Sequence, residues 1–359
     1  MKIGTLTFHR ACNFGGVLQS YALVTYLKKQ GYDAEIIDYI SKPIEDAYPL
    51  IYCNSFISIV SSIKHLKQNL QKRRHFKAFR KRMTISSEAY RNPKEFKDIY
   101  DVIIIGSDQI WNKKINNGFD LAYWGNIPGK SRIVSYAASM GTSNNFTIEE
   151  YSKIKKYLEN FYALSVREDS VAQEFSNLTD KSFTTVVDPT LLLHREDYEN
   201  IACCKKGIIP NSYVLYYQMG YTIDSRDRVE EISKNLHCDV VVVGLKKDQY
   251  SVNSIHYDYS EVKVEEFVWL ILHAKCVLAS SFHGVALSIA MKKNFYFLQV
   301  YRTDRAMNLL KYINACDRAI NPKDKVQYTD VDYSQVDIYL NEFIQKSTEY
   351  ISTVAREYK

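Results

Sequence analysis

The sequence has no apolar run long enough to cross a bilayer and no hydrophobic leader at its start. The longest apolar stretches, residues 267–272 and 240–243, are far shorter than the ~20 residues that a membrane-spanning helix needs. Residues 1–16 (MKIGTLTFHRACNFGG) read as a first strand and turn rather than as a signal peptide. We therefore expect a cytoplasmic protein, with any membrane contact peripheral.

The cysteines form no pattern typical of disulfide frameworks or zinc sites. There are seven, an odd number, with no C-x-x-C pair. His9 and Cys12 have the spacing of half a metal site, but no second pair accompanies them. The sequence thus predicts reduced thiols, as in a cytoplasmic protein, and no metal site.

The glycine-rich signature of dinucleotide-binding proteins is also missing. Residues 2–8 read as a strand, 17–30 as a helix and 33–39 as a second strand, so the chain opens with a βαβ unit. Gly15 and Gly16 stand at the start of that helix without forming G-x-G-x-x-G. No cofactor is predicted.

Length and element order predict an α/β protein of two domains. A chain of 359 residues suits two cores of about 150–180 residues each. Short apolar strands alternate with amphipathic helices in both halves, without repeats or low-complexity tracts. We assign residues 1–192 to an N-terminal domain, 193–325 to a C-terminal domain, and 326–359 to a long helix that packs back on the first. An active site is expected in the cleft between the two domains.

Positive charge is concentrated in one stretch, residues 64–82, called the basic segment here. It holds nine Lys and Arg and no acidic residue, while the whole chain has a net charge of only +6. Apolar residues 49–63 precede it, an arrangement that suits an anionic membrane surface or a lipid-linked diphosphate. A solvated helix without a partner fits equally well, whereas nothing else in the chain favours nucleic acid.

The stretch 275–290 (KCVLASSFHGVALSIA) is the strongest candidate for a binding site. Residues 276–279 read as a buried strand, Ser280 and Ser281 as helix-capping residues, and 285–290 as a buried helix. The free N–H groups and the dipole at such a helix start attract anions. His283 at this turn is placed to exchange a proton with the bound group. The alternative is that His283 only caps or packs the turn.

A second candidate lies after the wholly apolar strand predicted at residues 102–105. Gly106-Ser107-Asp108-Gln109 follows its carboxyl end, where open α/β sheets bind ligands. Asp108 is a candidate base or acceptor of a sugar hydroxyl. Its alternative role is to cap a turn.

Six stretches, taken together and in this order, resemble the polysaccharide pyruvyl transferase family. They run from residue 13 to about residue 290 and read NFGGVLQ (13–19), GSDQIWN (106–112), SYAAS (135–139), SVRE (165–168), VDPT (187–190) and SSFHG (280–284).

The resemblance implies a fold and a reaction. The fold is two Rossmann-like domains arranged as in GT-B glycosyltransferases. The reaction transfers a pyruvyl group from phosphoenolpyruvate onto two hydroxyls of one sugar as a ketal, in the synthesis of a bacterial capsular or exopolysaccharide precursor. Phosphoenolpyruvate is then the donor substrate, and the acceptor is a sugar, such as a polyprenyl-diphosphate-linked oligosaccharide that would give the basic segment a role.

The resemblance also implies a donor site around His283. Family members carry Arg-Leu directly before this histidine, whereas Ser281 and Phe282 stand here, so another cation must hold the donor's phosphate and carboxylate. The remaining donor-site candidates are Arg167, Arg302, Arg305, Ser280, Ser281 and the N–H groups of Gly284 and Val285.

We expect His283 to act as the acid and Asp108 as the base of the reaction. The candidates for acceptor binding are Asn13, Phe14, Gly15, Gly16, Gln19, Gln109 and Trp111. Arg167 has an alternative role in a salt bridge between domains, and Asp188, before Pro189, reads as a structural turn residue.

Two other functions stay open from the sequence. A GT-B glycosyltransferase that uses a nucleotide sugar would share the fold, but it needs a carboxylate for the ribose. Glu265 and Glu266 form the only nearby acidic pair, and they read as the exposed start of a helix. A non-catalytic protein that binds glycan in an assembly complex is the second alternative.

Overall fold

Short buried strands alternate with helices along the chain, and the computed structural model describes residues 1–51, 55–141, 146–219, 225–244, 247–300 and 304–356. The elements of the first half are β1 (Lys2–Leu6), α1 (Phe14–Lys29), β2 (Asp33–Tyr39), α2 (Lys42–Asp46), α3 (Phe56–Lys64), α4 (Leu66–Arg80), β3 (Ile85–Tyr90), β4 (Val102–Ile105), β5 (Arg132–Ser135), α5 (Ile148–Leu158), β6 (Leu164–Val166), α6 (Asp169–Ser176) and β7 (Phe183–Thr185). Those of the second half are α7 (Arg195–Ile201), β8 (Tyr213–Tyr217), α8 (Arg226–Asn235), β9 (Asp239–Val243), β10 (Ser254–Tyr257), α9 (Val264–His273), β11 (Cys276–Ala279), α10 (Phe282–Ala290), β12 (Asn294–Leu298), α11 (Asp304–Tyr312), β13 (Ala319–Ile320) and α12 (Tyr333–Arg356).

Contacts within the chain divide it into two units. The first unit comprises Met1–Pro49, Arg80–Leu192 and Glu342–Lys359, and the second comprises Leu50–Phe79 and Leu193–Asn341. Each unit is built on its own parallel sheet. Consecutive parallel strands must be joined by crossover connections, and helices form most of those connections here.

The sheet of the first unit has the strand order β3-β2-β1-β4-β5, and all its pairs are parallel. Strand β4, which lies between β1 and β5, is buried at all four residues, as expected for a strand covered on both faces. The strand order reverses between β1 and β4. Open α/β sheets bind ligands at such a switch point, outside the carboxyl ends of the strands.

The sheet of the second unit has the order β10-β9-β8-β11-β12-β13 and is likewise wholly parallel. Its switch point lies between β8 and β11. Val277 and Leu278 of β11 are fully buried. The α/β class with parallel sheets and a C-terminal helix is therefore confirmed, while the GT-B-like arrangement of the two units stays a prediction.

The basic segment belongs mainly to the second unit, which corrects its assignment to the N-terminal domain. Nearly all of it forms α4, and the unit boundary falls after Phe79. Phe76 and Phe79 on this helix are buried. The Lys72 ammonium lies 5.4 Å from the ring centroid of Tyr259 in the same unit. The charge pattern of the segment identified the helix, but only tertiary packing decides which core it joins.

Helix α12 contributes to both units, since the boundary between them falls after Asn341. In its first part, the Tyr333 hydroxyl donates to the Lys293 carbonyl (2.7 Å). In its second part, the Tyr350 hydroxyl donates to the carbonyl of Ser135 at the end of β5 (2.8 Å). Within the described ranges, no helix is both long and apolar enough to cross a membrane.

Candidate functional site

Asn13, Gly16 and Asp108 meet at the switch point of the first sheet. The Asn13 side chain caps α1 by accepting the Gly16 N–H (2.6 Å), which satisfies one of the free donors at the helix start. A Cβ atom on Gly16 would lie 3.1 Å from Asn13 Oδ1 and 3.3 Å from Asp108 Oδ2. The small residue lets α1 and the loop after β4 approach closely. Asp108 therefore lies beside two of the residues that the sequence analysis assigned to acceptor binding.

Asp108 is held in an uncommon backbone conformation, with φ at 70°. Its Oδ1 accepts the Gln109 N–H (2.8 Å), and its carbonyl accepts the Ser139 N–H (3.0 Å). The residue is 6% exposed. Asp is one of the few residue types that adopt this left-handed conformation readily. The turn role of Asp108 is therefore met, and its chemical role stays a prediction.

Arg167 is buried among carboxylates, a setting that disfavours a donor phosphate, and its assignment to the donor site stays a prediction. It is 3% exposed, and its Nη1 pairs with Asp188 Oδ2 at 2.7 Å. Its Nε lies 3.4 Å from Glu168 Oε1, and its Nη2 lies 4.0 Å from Asp108 Oδ1. Burial lowers the pKa of the Arg167 guanidinium, but these carboxylates outweigh burial and raise it above its ordinary value. Three carboxylates around one cation repel a further anion.

The alternative of a salt bridge is met within the first unit rather than between domains, because Asp108, Glu168 and Asp188 all belong to that unit. Asp188 does act as a turn residue, because its Oδ1 accepts the Thr190 N–H (3.0 Å). Its second oxygen also accepts the Ser107 hydroxyl (3.1 Å), which ties this turn to the loop after β4. The contacts of Asp188 with Ser107 and Arg167 have no sequence signal, since these partners come from separate stretches.

Several expected acceptor-binding residues are interior residues. Trp111 is 1% exposed, and its indole N–H donates to the Tyr123 carbonyl (2.9 Å). Gln19 is fully buried and donates to Thr7 Oγ1 (2.8 Å). Phe14 and Gly15 are buried as well. These four position the loops around Asp108 rather than offer a surface to a ligand, because packing onto the sheet takes their side chains inward.

Gln109 is the remaining acceptor-binding candidate and is partly exposed. Its Oε1 accepts from Asn112 Nδ2 (2.8 Å), so its side chain is fixed beside Asp108 with the amide nitrogen left to donate. With Asn13 it forms the accessible part of this site, whereas Gly16 is buried.

A different cluster was not anticipated from the sequence. The His9 Nε2 lies 2.9 Å from Asp38 Oδ1, and Arg10 binds both oxygens of the same carboxylate at 2.7 and 2.8 Å. Burial alone would raise the pKa of Asp38, but the hydrogen bonds and charges of His9 and Arg10 hold it well below its usual range. The two basic residues follow β1 and the acid lies near the end of β2, so adjacency of the strands creates the cluster.

His283 lies in the first turn of α10, at the switch point of the second sheet. Ser281 is the N-cap, as predicted, and its Oγ accepts the Gly284 N–H (3.1 Å). Ser280 Oγ accepts the N–H of Met219, just beyond β8 (2.9 Å). The helix begins at Phe282, three residues before its predicted start, so His283 belongs to the helix rather than to the turn.

The N–H groups of Gly284 and Val285 are already used within α10, which corrects their assignment to the donor phosphate. Gly284 N–H donates to the Ser281 side chain (3.1 Å) and Val285 N–H to the Ser281 carbonyl (3.3 Å). Gly284 has a packing role instead. A Cβ atom there would lie 2.5 Å from Ala279 Cβ, so glycine allows α10 to lie directly on β11.

Arg305 on α11 provides a cation at this end of α10. Its Cζ lies 5.9 Å from the ring centroid of Phe282, within the range of a cation–π contact. The His283 ring packs edge-on against the same Phe282 ring, with centroids 5.1 Å apart. Phe282, which replaces the leucine of the family motif, thus contacts both functional candidates. Arg302 lies outside the described residues.

The two switch points differ in charge. The first holds one guanidinium among three buried carboxylates, a setting that accepts hydrogen bonds from hydroxyl groups. The second combines a helix N-terminus with His283 and Arg305, a setting that attracts anions. Among the described residues, no group of three or more His, Cys, Asp or Glu side chains could hold a metal ion.

Glu266 differs from its sequence interpretation as an exposed residue. It is 4% exposed, and its Oε2 accepts the Lys263 N–H at the start of α9 (2.9 Å). Lys205 Nζ lies 3.9 Å from the same oxygen. This carboxylate is thus committed to capping a helix and is a poor candidate for binding ribose.

A family model for polysaccharide pyruvyl transferase matches residues 13–300, and the chain belongs to this family, which is a family of transferases. A comparison with curated proteins found no match.

Solved structures resemble the chain over nearly its whole length at low identity. UDP-GlcNAc 2-epimerase from Neisseria meningitidis bound to UDP-GlcNAc is 11% identical, with 99% of this chain and 100% of that chain covered and a TM-score of 0.47. The UDP-GlcNAc 2-epimerase from Methanocaldococcus jannaschii is 10% identical, with 99% of each chain covered and a TM-score of 0.46. The glycosyltransferase SnogD from Streptomyces nogalater is 7% identical, with 97% of this chain and 95% of that chain covered and a TM-score of 0.41.

Proposed function

We propose that the protein transfers the pyruvyl group of phosphoenolpyruvate onto two hydroxyls of one sugar, forming a ketal and releasing inorganic phosphate. The methylene carbon of the donor takes a proton and becomes a methyl group, while a sugar oxygen bonds to the neighbouring carbon and loses its proton. The C–O bond to phosphate then breaks with its electron pair. The second sugar hydroxyl adds at the same carbon, and its proton goes to the departing phosphate.

The observation that carries the proposal is the combination of His283, Arg305 and a helix N-terminus at the second switch point of a chain in this family. Phosphoenolpyruvate is a small, highly charged anion, and a cationic helix end is the kind of site that holds it. His283 would deliver the proton to the methylene carbon. Ser280 and Ser281 shape the turn that presents these groups, and Arg302 is a further candidate cation.

The first switch point supports the acceptor side of the proposal. Asp108 is a carboxylate beside a glycine and an asparagine, and a carboxylate takes a proton from an attacking hydroxyl more readily than any neutral side chain there. Asn13 and Gln109 offer donors and acceptors for the remaining sugar hydroxyls, and Gly16 gives them room beside Asp108. Arg167 and Asp188 would act by fixing the loop that carries Asp108.

We further propose that the acceptor is a precursor of a bacterial capsular or exopolysaccharide, joined to a polyprenyl diphosphate, and that the protein works in the cytoplasm at the membrane surface. The basic segment supports this proposal because anionic headgroups attract polybasic helices by about 1 kcal/mol per Lys or Arg near the surface. Lys/Arg→Gln changes in it should weaken binding to anionic vesicles, and unchanged binding would contradict the membrane contact.

A glycosyltransferase that uses a nucleotide sugar is the alternative, and it has less support. It needs an available carboxylate for the ribose hydroxyls, and Glu266 caps α9 instead. A non-catalytic assembly protein would not need His283 and Arg305 to share one aromatic neighbour.

A transfer assay tests the proposed function. The protein is incubated with phosphoenolpyruvate that carries ¹³C at the methylene carbon and a panel of aryl hexosides, and the products are examined by NMR and for released phosphate. We expect a new ¹³C methyl signal attached to a sugar and phosphate released in equal amount. Transfer of a hexose from a UDP-sugar to the same panel, with no methyl signal, would contradict the proposal.

A further inference from the structure

The second unit contains a cavity of about 1170 Å³ that no part of the proposed reaction uses. One wall is formed by α3 and α4, and the other by the segments that follow β9 and β10. All of its lining residues belong to this unit. The cavity lies towards the carboxyl ends of the parallel strands, the edge at which α/β sheets bind ligands.

Lysines from both walls line this cavity. Lys67 and Lys72 come from the basic segment, and Lys247 comes from the chain after β9. Within the described ranges, neither Lys67 nor Lys247 forms an ion pair, whereas Lys72 lies over the ring of Tyr259. Two like charges without counterions on facing walls favour an anionic ligand.

The two acidic residues of the cavity do not neutralise these lysines directly. Asp258 Oδ1 accepts the N–H (2.9 Å) and hydroxyl (2.7 Å) of Ser260. Glu261 Oε2 accepts the Asp258 N–H (2.7 Å). Both carboxylates are therefore occupied in capping one short turn, and their orientation is fixed by it.

The rest of the lining is rich in hydroxyl and amide groups, of which Ser62, Gln68 and Asn69 on the basic wall are examples. Such groups hydrogen-bond the hydroxyls of a sugar, while lysines act as point charges for phosphate. The volume exceeds what inorganic phosphate alone would fill. We infer that the cavity binds a saccharide that carries a phosphate or diphosphate, either free or attached to a lipid.

In its lipid-linked form this ligand is the acceptor of the proposed function, and that part of the inference rests on it. Binding in the cavity differs from attraction to a membrane surface. Binding to a membrane surface depends on the total charge of the segment, so every lysine of the basic segment would contribute similarly. Binding in a cavity depends on which lysines line it. Lys67 and Lys247 would therefore contribute to the affinity for the ligand, and Lys64 and Lys77 would not. The latter two are exposed in the same segment and do not line the cavity.

The test compares two double variants of equal charge change. Binding of N-acetylglucosamine 1-phosphate and of geranyl diphosphate is measured by calorimetry for the wild type, Lys67→Gln/Lys247→Gln and Lys64→Gln/Lys77→Gln. We expect saturable binding of at least one of these ligands. The first double variant should weaken it by about tenfold or more, and the second by less than twofold. Equal weakening in both, or no binding to the wild type, would overturn the inference.

A vesicle experiment separates the two sources of the phosphate. Phosphatidylcholine vesicles doped with a polyprenyl diphosphate are compared with vesicles of equal charge doped with phosphatidylserine. A preference for the polyprenyl diphosphate that is lost in Lys67→Gln/Lys247→Gln supports a lipid-linked saccharide. Calorimetric binding of the soluble sugar phosphate without vesicle preference supports a free one. Equal vesicle binding that both double variants weaken equally would again overturn the cavity site. None of these readings depends on pyruvyl transfer, so the inference can fail while the proposed function stands.

Discussion

Arg167 is a buried cation within a network of carboxylates in the first unit. Its guanidinium pairs with the buried carboxylate of Asp188 at 2.7 Å and lies 3.4 Å from that of Glu168. Removing one member of a buried ion network leaves charge buried without compensation, which typically costs 3–5 kcal/mol.

We therefore predict that Arg167→Met lowers the free energy of unfolding by about 3–5 kcal/mol. Urea unfolding followed by circular dichroism measures this loss. Arg195→Met is the control, because Arg195 pairs with Glu199 at the surface and such pairs contribute about 1 kcal/mol or less. Normal stability with loss of phosphoenolpyruvate binding in Arg167→Met would instead restore Arg167 to the donor site.

His283 should behave in the opposite way. As the acid of the reaction it affects rate rather than folding, so His283→Gln should reduce the transfer rate by about 10²–10⁴-fold while leaving the melting temperature within a few degrees of the wild type. The rate is measured by phosphate release and the melting temperature by calorimetry. His273→Gln, at an exposed position on α9, should keep the wild-type rate, and a comparable loss in both variants would contradict a chemical role for His283.

At the scale of secondary-structure elements, the packing of α10 on β11 sets the position of His283. In Gly284→Ala, the new methyl group would lie 2.5 Å from Ala279 Cβ and 3.0 Å from Tyr217 Cδ1. We predict a loss of about 1–3 kcal/mol in stability from overpacking together with weaker donor binding, because α10 must shift. Ser288→Ala on the same helix removes one hydrogen bond to the Gly284 carbonyl and should leave donor binding unchanged. Donor binding that survives Gly284→Ala would mean that the start of α10 does not hold the donor.

The elements that the sequence predicts best are those buried on both faces. Residues 102–105 and 276–279 are apolar throughout, and the structure begins and ends β4 and β11 at those residues. The edge strands β3 and β10 escaped prediction because they are only partly buried and carry the mixed sequences ISSEAY and SIHY. Pairing with a neighbour, rather than local pattern, makes these segments strands.

The candidate site was predictable where it depends on local turns and not where it depends on long-range packing. The capping role of Ser281 and the nearness of Asn13 to the end of β4 follow from strand-to-helix turns at one sheet edge. The carboxylates around Arg167 come from three different segments, and the contact of Arg305 with Phe282 joins two helices. Neither has a signature in the linear sequence.

At the scale of the whole molecule, the Asp38 cluster predicts sensitivity to acid. Burial would raise the pKa of Asp38, but His9 and Arg10 lower it below its ordinary value in the folded protein. In the unfolded chain the pKa of an aspartate such as Asp38 is about 4. The stabilisation it provides is therefore fully present above that pH, and it is lost as the pH falls through the lower pKa of the folded state.

We accordingly predict that Asp38→Asn lowers the free energy of unfolding at pH 7, and that the difference from the wild type shrinks as the pH falls below about 4. Urea unfolding at several pH values between 7 and 3 measures both the loss at pH 7 and its dependence on pH. Asp33→Asn, at the exposed start of β2, should show no such trend. A difference that stays constant across this range would mean that His9 and Arg10 do not lower the pKa of Asp38.

Calorimetric titration tests whether the start of α10 and Arg305 hold phosphoenolpyruvate. Phosphoenolpyruvate and, separately, UDP-glucose are titrated into the wild type, Arg305→Gln and Lys311→Gln. Lys311 is an exposed lysine at the other end of the helix that carries Arg305. We predict saturable binding of phosphoenolpyruvate alone, unaffected by Lys311→Gln. Arg305→Gln should weaken this binding about tenfold or more, because it removes one charge-assisted contact of about 1.5–3 kcal/mol. Binding of UDP-glucose without phosphoenolpyruvate, or equal affinity for phosphoenolpyruvate in all three proteins, would contradict this prediction.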